Sequence, residues 1–274
     1  MTDRTGILKN SPLVFVLASV RFLPWQMMAK KIDEIHDVLR DTAPLIQELR
    51  IQPIDMPSQF SKTSAEALIG AWVFMSNDRS LGIHLSQDQL LVFTKKYENY
   101  KHFEDVISKC LEVLLKHMRF MDISNMGVRF IDRIQLKASE KHSDYVTEKF
   151  LPSDVEGFNS TGGIIFGTYK DKDMCLRVRS ITQPDALYLP EDMFNLAALT
   201  QDPTKPIEIK FLTEKQFILD MDAIKQFPVT SRMQERKDIL DQLNQLHSLA
   251  NKFFRHQEFC TDYAFKTWRG ESDS

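Results

Sequence analysis

Three cysteines in a chain of 274 residues, Cys110, Cys175 and Cys260, are too few and too far apart for a disulfide framework, and their spacing matches no zinc-ligand pattern. Charge of one sign is also missing. With 35 Lys and Arg against 38 Asp and Glu, no bulk field draws the chain to nucleic acid or to an anionic membrane, so any basic site must be local. No run approaches the roughly 18 apolar residues of a membrane span, and the opening Met1-Thr2-Asp3-Arg4 has no apolar signal core. The expectation is a cytoplasmic protein with no membrane association.

Catalytic spacing is lacking as well. The seven histidines form no H-E-x-x-H pair, and no G-x-S-x-G occurs, so zinc hydrolysis and a serine triad have no foothold. Gly162, Gly163 and Gly167 make neither G-x-G-x-x-G nor a Walker loop, because no basic residue or helix start follows at the needed offset; they read as turn and strand-edge glycines. His256, Glu258 and Cys260 cluster locally, at a spacing that suits no common metal site. The expected cofactor set is none, and the expected metal set is none.

What the chain does have is 43% hydrophobic residues, ample for a core. Leu13 to Phe22 is an almost continuous apolar run, which predicts a strand covered on most of both faces. Met28, Ile32, Ile35 and Leu39 fall on one helical stripe. After a Pro-rich, weakly periodic passage from Pro44 to Pro57, the runs Ala71–Ser76, Leu81–Leu85 and Leu90–Thr94 predict an antiparallel meander, with turn formers Asn77-Asp78 and Gln87-Asp88 between them. A helix over Phe103–Arg119 and a strand over Met126–Leu136 complete a first half; an aperiodic stretch from Lys137 to Gly163 divides it from the second.

The second half begins with a hairpin, Ile164–Tyr169 and Met174–Ile181, turned by Lys170-Asp171-Lys172-Asp173. A long connection with a short helix around Met193–Leu199 leads to a strand pair, Ile207–Leu212 and Gln216–Met221. Ile239, Leu243, Leu246, Ala250 and Phe253 then mark the longest helical stripe, with Ser231 and Gln234 as a capping-box start. That helix should lie across the sheet, and the tail aromatics Phe253, Phe254, Phe259, Tyr263, Phe265 and Trp268 should pack onto the sheet as core. The predicted class is α+β: mostly antiparallel sheet with long amphipathic helices on one face. It permits two similar halves, residues 1–137 and 138–274, packed as one compact unit.

The segments Asn10-Ser11-Pro12-Leu13-Val14-Phe15, Val20-Arg21-Phe22, Met126-Gly127-Val128-Arg129-Phe130-Ile131-Asp132-Arg133-Ile134, Leu246-His247, Phe253-Phe254 and Thr261-Asp262 resemble a sporadically distributed family of bacterial proteins of uncharacterised function. The resemblance runs from Lys9 to Trp268 and departs at Asp132, where the family leads one to expect Asn. It implies a patchily inherited bacterial protein of the kind carried with defence or mobile-element genes, and it brings no catalytic residues.

Two constellations remain. Arg129 and Arg133 share a strand face by parity, as do Arg177 and Arg179, and Arg21 ends the first strand. If these strands are sheet neighbours, five guanidiniums line one surface suited to phosphate or carboxylate groups. The ordinary alternative pairs each arginine with Asp132, Asp220 or Asp222. The second constellation, Asp185 with Glu208 and Lys210, matches the loose spacing of a metal-dependent nuclease: two carboxylates for a divalent ion and a lysine for the water. The leading expectation is a non-enzymatic binding or interaction protein, with another protein as partner. The alternatives are that nuclease and an anion- or nucleic-acid-binding module. A homodimer is compatible with the sequence.

Overall fold

The computed structural model describes residues 4–50 and 70–271. The predicted class holds: the chain is α+β, with a nine-stranded, wholly antiparallel sheet among the described residues.

β1 (Leu13–Phe22) lies at the centre between two neighbours, which is why its sequence is apolar at nearly every position. Val16, Ala18, Val20 and Phe22 face a layer of helices, and Phe15 and Leu17 face the other way. α1 (Met28–Leu39) buries the predicted stripe of Met28, Ile32, Ile35 and Leu39. Next comes β2 (Leu45–Arg50), a strand absent from the expected order, followed by the meander β3 (Gly70–Met75), β4 (Leu81–Ser86) and β5 (Gln89–Thr94). Two prolines, at positions 44 and 53, bracket β2 and mask its short pattern; the rest of the Pro-rich passage, beyond Arg50, lies outside the described residues.

α2 (Tyr100–Met118) starts three residues earlier than its stripe suggests, because the Asn99 side chain accepts a hydrogen bond from the His102 N–H. β6 (Met121–Gln135) follows, then the short α3 (His142–Tyr145) and the hairpin β7 (Ile164–Asp171) and β8 (Met174–Ile181). Residues 182–215 form an excursion that holds a 3-10 turn at Glu191–Met193 and α4 (Phe194–Leu199). β9 (Gln216–Met233), α5 (Arg236–Phe254) and α6 (Asp262–Arg269) end the chain.

The spatial order is β2-β3-β4-β5-β1-β6-β9-β8-β7. α1, α2 and α5 cover one face, with α5 lying across β6, β8 and β9. The excursion covers part of the other face, where Met193 and Leu212 join Phe15, Leu17, Val73, Met75, Phe93, Ile131, Ile181 and Ile218 in a second, smaller core.

Two expectations need correction. Ile207–Leu212 is not a strand: only Phe211 makes a single bridge, to Leu187, and Ile207 and Ile209 stay exposed. Phe211 is exposed too, and only Leu212, at the end of the run, is buried in the second core. Ser231 does not cap α5, since it lies within β9 opposite Ile123; the helix starts after Glu235, with no side-chain cap. Of the tail aromatics, Phe254, Phe259, Phe265 and Trp268 are buried as expected and Phe253 is half-buried, but Tyr263 is exposed.

Candidate functional site

Register decides where the arginines go. Leu17 and Asp222 both lie opposite Arg129, Arg177 also lies opposite Asp222, and Arg179 lies opposite Asp220. Arg21 lies opposite Asn125, an even number of residues from Arg129 and Arg133. Paired residues share a face, so all five arginines issue from the side opposite the helices.

Three of them are already engaged. Arg129, 6% exposed, donates to Asp220 through Nε (2.7 Å) and Nη2 (3.0 Å), and to Asp192 through Nη1 (2.7 Å) and Nη2 (3.1 Å). Arg179 donates to the same two carboxylates, at 2.6 Å to Asp220 and 3.1 Å to Asp192. Burial alone would lower the Arg129 pKa, but its hydrogen bonds to the two aspartates outweigh that and raise it. Burial likewise opposes ionisation of Asp192, yet the Arg129 and Arg179 guanidiniums hold it down at about 2. Because Asp192 belongs to the 3-10 turn, this cluster fastens the excursion to the sheet. Arg133 stacks under the Tyr188 ring of the same excursion, 3.4 Å from its centroid. Arg21 and Arg177 stay exposed, and among the described residues neither guanidinium has a hydrogen-bond or ion-pair partner. Asp222 lies beside Arg177; burial pushes its carboxyl up to about 6.

The nuclease trio loses the strand it was read on. Glu208 and Lys210 sit in the irregular return of the excursion, exposed and paired with each other at 3.2 Å. Asp185 occupies a turn at φ 64°, its N–H bonded to the Leu212 carbonyl. Among the described residues, no three His, Cys, Asp or Glu side chains gather as a metal-holding group.

Asp132 is not an arginine partner. It has even parity, like Phe130 and Ile134, so it turns to the helix side, away from Arg129 and Arg133. There it is 3% exposed and lines a cavity of about 300 Å³, at the lower end of ligand pockets. Its carboxyl has no hydrogen-bond or ion-pair partner among the described residues. Burial, and secondarily the charge of Asp220 across the sheet, push it up to about 8.

The opposite wall comes from α2, α5 and the loop after β5. Tyr100 stacks on His247 with ring centroids 3.7 Å apart, and its buried hydroxyl has no hydrogen-bond partner among the described residues. Burial brings His247 down to about 4, so its imidazole is neutral, and lifts the Tyr97 and Tyr100 phenols well above their ordinary range. Residues from Gly6 to Ser11 close one side as a strap. Arg4 donates to the Cys260 carbonyl (2.8 Å) and to Asp262 (2.6 Å), and Arg255 of the α5 C-cap donates to Gly6 O (2.9 Å) and to Arg4 O. Sequence reasoning took Asp132 for an arginine partner and missed the site. The available signal was an acid at the same parity as the apolar residues of a strand, on the face its helix must cover.

No protein-family model matches the chain, and no curated protein matches it. Among solved structures, Methanococcus jannaschii TBP is similar at 10% identity, over 88% of this chain and 97% of that one, with a TM-score of 0.24. A superposition that loose carries no structural or functional inference.

Proposed function

We propose that the chain is a binding protein that takes a small organic ligand into the cavity at Asp132. One observation carries the reading: a carboxyl buried to 3% exposure, without a hydrogen-bond or ion-pair partner among the described residues, on the wall of a cavity. Within the protein the carboxyl has only the cavity to turn to, and a group whose hydrogen bonds are not replaced on burial costs about 1–3 kcal/mol even when neutral. A ligand that supplies the missing partner offsets that penalty. Binding is favoured over catalysis because Asp132 makes no hydrogen bond to His247 or Tyr100, whose rings are stacked face to face; no acid, base and nucleophile are linked there.

The test is a fragment screen by amide NMR. Fragments in the cavity should shift the resonances of residues 97–100, 130–132 and 247–251, and Ala250→Leu, which fills the space, should abolish those shifts. If no fragment moves these amides, the reading fails.

Arg21 and Arg177 support a second site, for an anionic partner such as a nucleic acid, on the helix-free face. Such binding would weaken steeply with salt as phosphate counterions are released, and Arg21→Ala with Arg177→Ala should remove it. Binding to a labelled oligonucleotide that is indifferent to salt or to these substitutions would exclude this site.

A further inference from the structure

We infer that the ligand of the Asp132 cavity is a small organic cation, a protonated amine on an apolar or aromatic body, whose ammonium pairs with the Asp132 carboxylate. The inference rests on the ligand-binding reading of the cavity and adds the class of ligand. Its first support is geometric: the one buried polar residue of the lining is an acid with no hydrogen-bond or ion-pair partner among the described residues, and Glu98 stands exposed on the same lining with the same sign. The second is the state of the nearby cations. Arg255 is spent on the Arg4 and Gly6 carbonyls and on Asn251, and Arg4 on Cys260 O and Asp262. His247 is neutral, and the positive charge that remains on the lining belongs to Arg255, whose donors are already taken up by those carbonyls and by Asn251. The third is the wall. Tyr97, Tyr100, Phe130 and Phe254 line it, and an aromatic ring met face-on attracts a desolvated cation by about 2 kcal/mol or more.

Binding a cation there must displace a proton. Below about pH 8 the empty site holds Asp132 protonated, and an ammonium pairs only with the ionised form. The other titratable and charged groups around Asp132 do not follow it. Burial keeps Tyr97, Tyr100 and Cys260 in their neutral forms, and His247 is already neutral above about pH 4. From the β9 side the nearest charge is Asp220, held in its ion pairs with Arg129 and Arg179.

The experiment is titration calorimetry of the whole chain with benzylamine, benzyl alcohol and benzoate, from pH 6 to 8 in buffers of different ionisation enthalpy. Benzylamine should bind best, its Kd falling close to tenfold per pH unit up to about pH 8, with close to one proton released per ligand at pH 7. Asp132→Asn, with folding checked by circular dichroism, should weaken benzylamine at least tenfold and abolish the proton release. Glu98→Gln, on the exposed rim where folding is not at stake, should weaken benzylamine several-fold and leave benzyl alcohol unchanged. If benzyl alcohol or benzoate shifts the cavity amides more strongly than benzylamine, or if benzylamine binds without proton release, the cation inference is overturned while the ligand-binding reading stands. If none of the three probes binds and the fragment screen is also silent, both fall.

Discussion

A carboxyl that loses its water without gaining a partner keeps its proton, and the cost of removing that proton is borne by the folded state alone. Asp132 has its pKa raised from 3.8 to about 8, so the native state binds more protons than the unfolded chain across that interval, and stability falls as pH rises through it. His247 acts in the opposite sense: lowered from 6.5 to about 4, it makes stability rise with pH over its own window. Above pH 6.5 only the Asp132 effect remains of the two. Urea titrations should therefore show the wild-type chain losing roughly 1–2 kcal/mol between pH 6.5 and 8, and Asp132→Asn losing little. An unchanged slope in the variant would remove Asp132 as the cause. Gly82 gives a second residue-scale prediction. A Cβ there would come within 2.2 Å of the buried Phe93 ring, which is stacked on Phe15. Gly82→Ala should cost about 1–3 kcal/mol by overpacking, read as a lower urea midpoint at unchanged slope. Asp132 was visible in the sequence as a residue, and its parity was legible. The cavity beside it was not, because α2, α5 and the strap reach it from distant parts of the chain.

Among the elements, the excursion over residues 182–215 depends most on a few contacts. Its helix α4 buries no residue, and its attachment runs through Asp192 and Tyr188 to arginines of β6 and β8. Replacing Arg129 by Met leaves Asp220, 1% exposed, facing Arg179 alone, and should destabilise the protein by about 3–5 kcal/mol. Asp192→Ala should cost less, because that carboxylate is 55% exposed; it should accelerate hydrogen exchange in residues 186–212 while β6 and β9 keep their protection. Uniform acceleration across the sheet would show that the cluster holds the whole fold and not the excursion. The stripes of α1 and α5 were legible because helical periodicity is written in neighbouring residues. The start of α5 was not: Ser231 and Gln234 spell a cap, but β6 extends the ladder and keeps Ser231 in β9, opposite Ile123. Long-range hydrogen bonds overrode a local signal there.

At the scale of the molecule, the ladder runs without interruption from β2 to β7, and β1 and β6 join the first strands to the last. Cutting that pair would expose apolar residues on both sides at once, so the two parts of the chain should unfold together. Trp72 on β3 and Trp268 on α6 report from opposite parts of the sequence. Variants retaining one or the other should give urea midpoints that coincide with each other and with circular dichroism. Separate midpoints would mean that the halves melt independently.

The order of apolar and polar residues was sufficient for the α+β class, the meander, the hairpin and the buried stripes, because each depends on periods of two or about 3.6 within a dozen residues. Pairing across the sheet was decided by the tertiary structure alone. It put five arginines on one face and then bound three of them to the excursion, and it turned Asp132 toward the helices and built a cavity around it. Partners separated by 60 or more residues, as Arg129 is from Asp192, leave no periodic trace, since what joins them is the folded path of the chain.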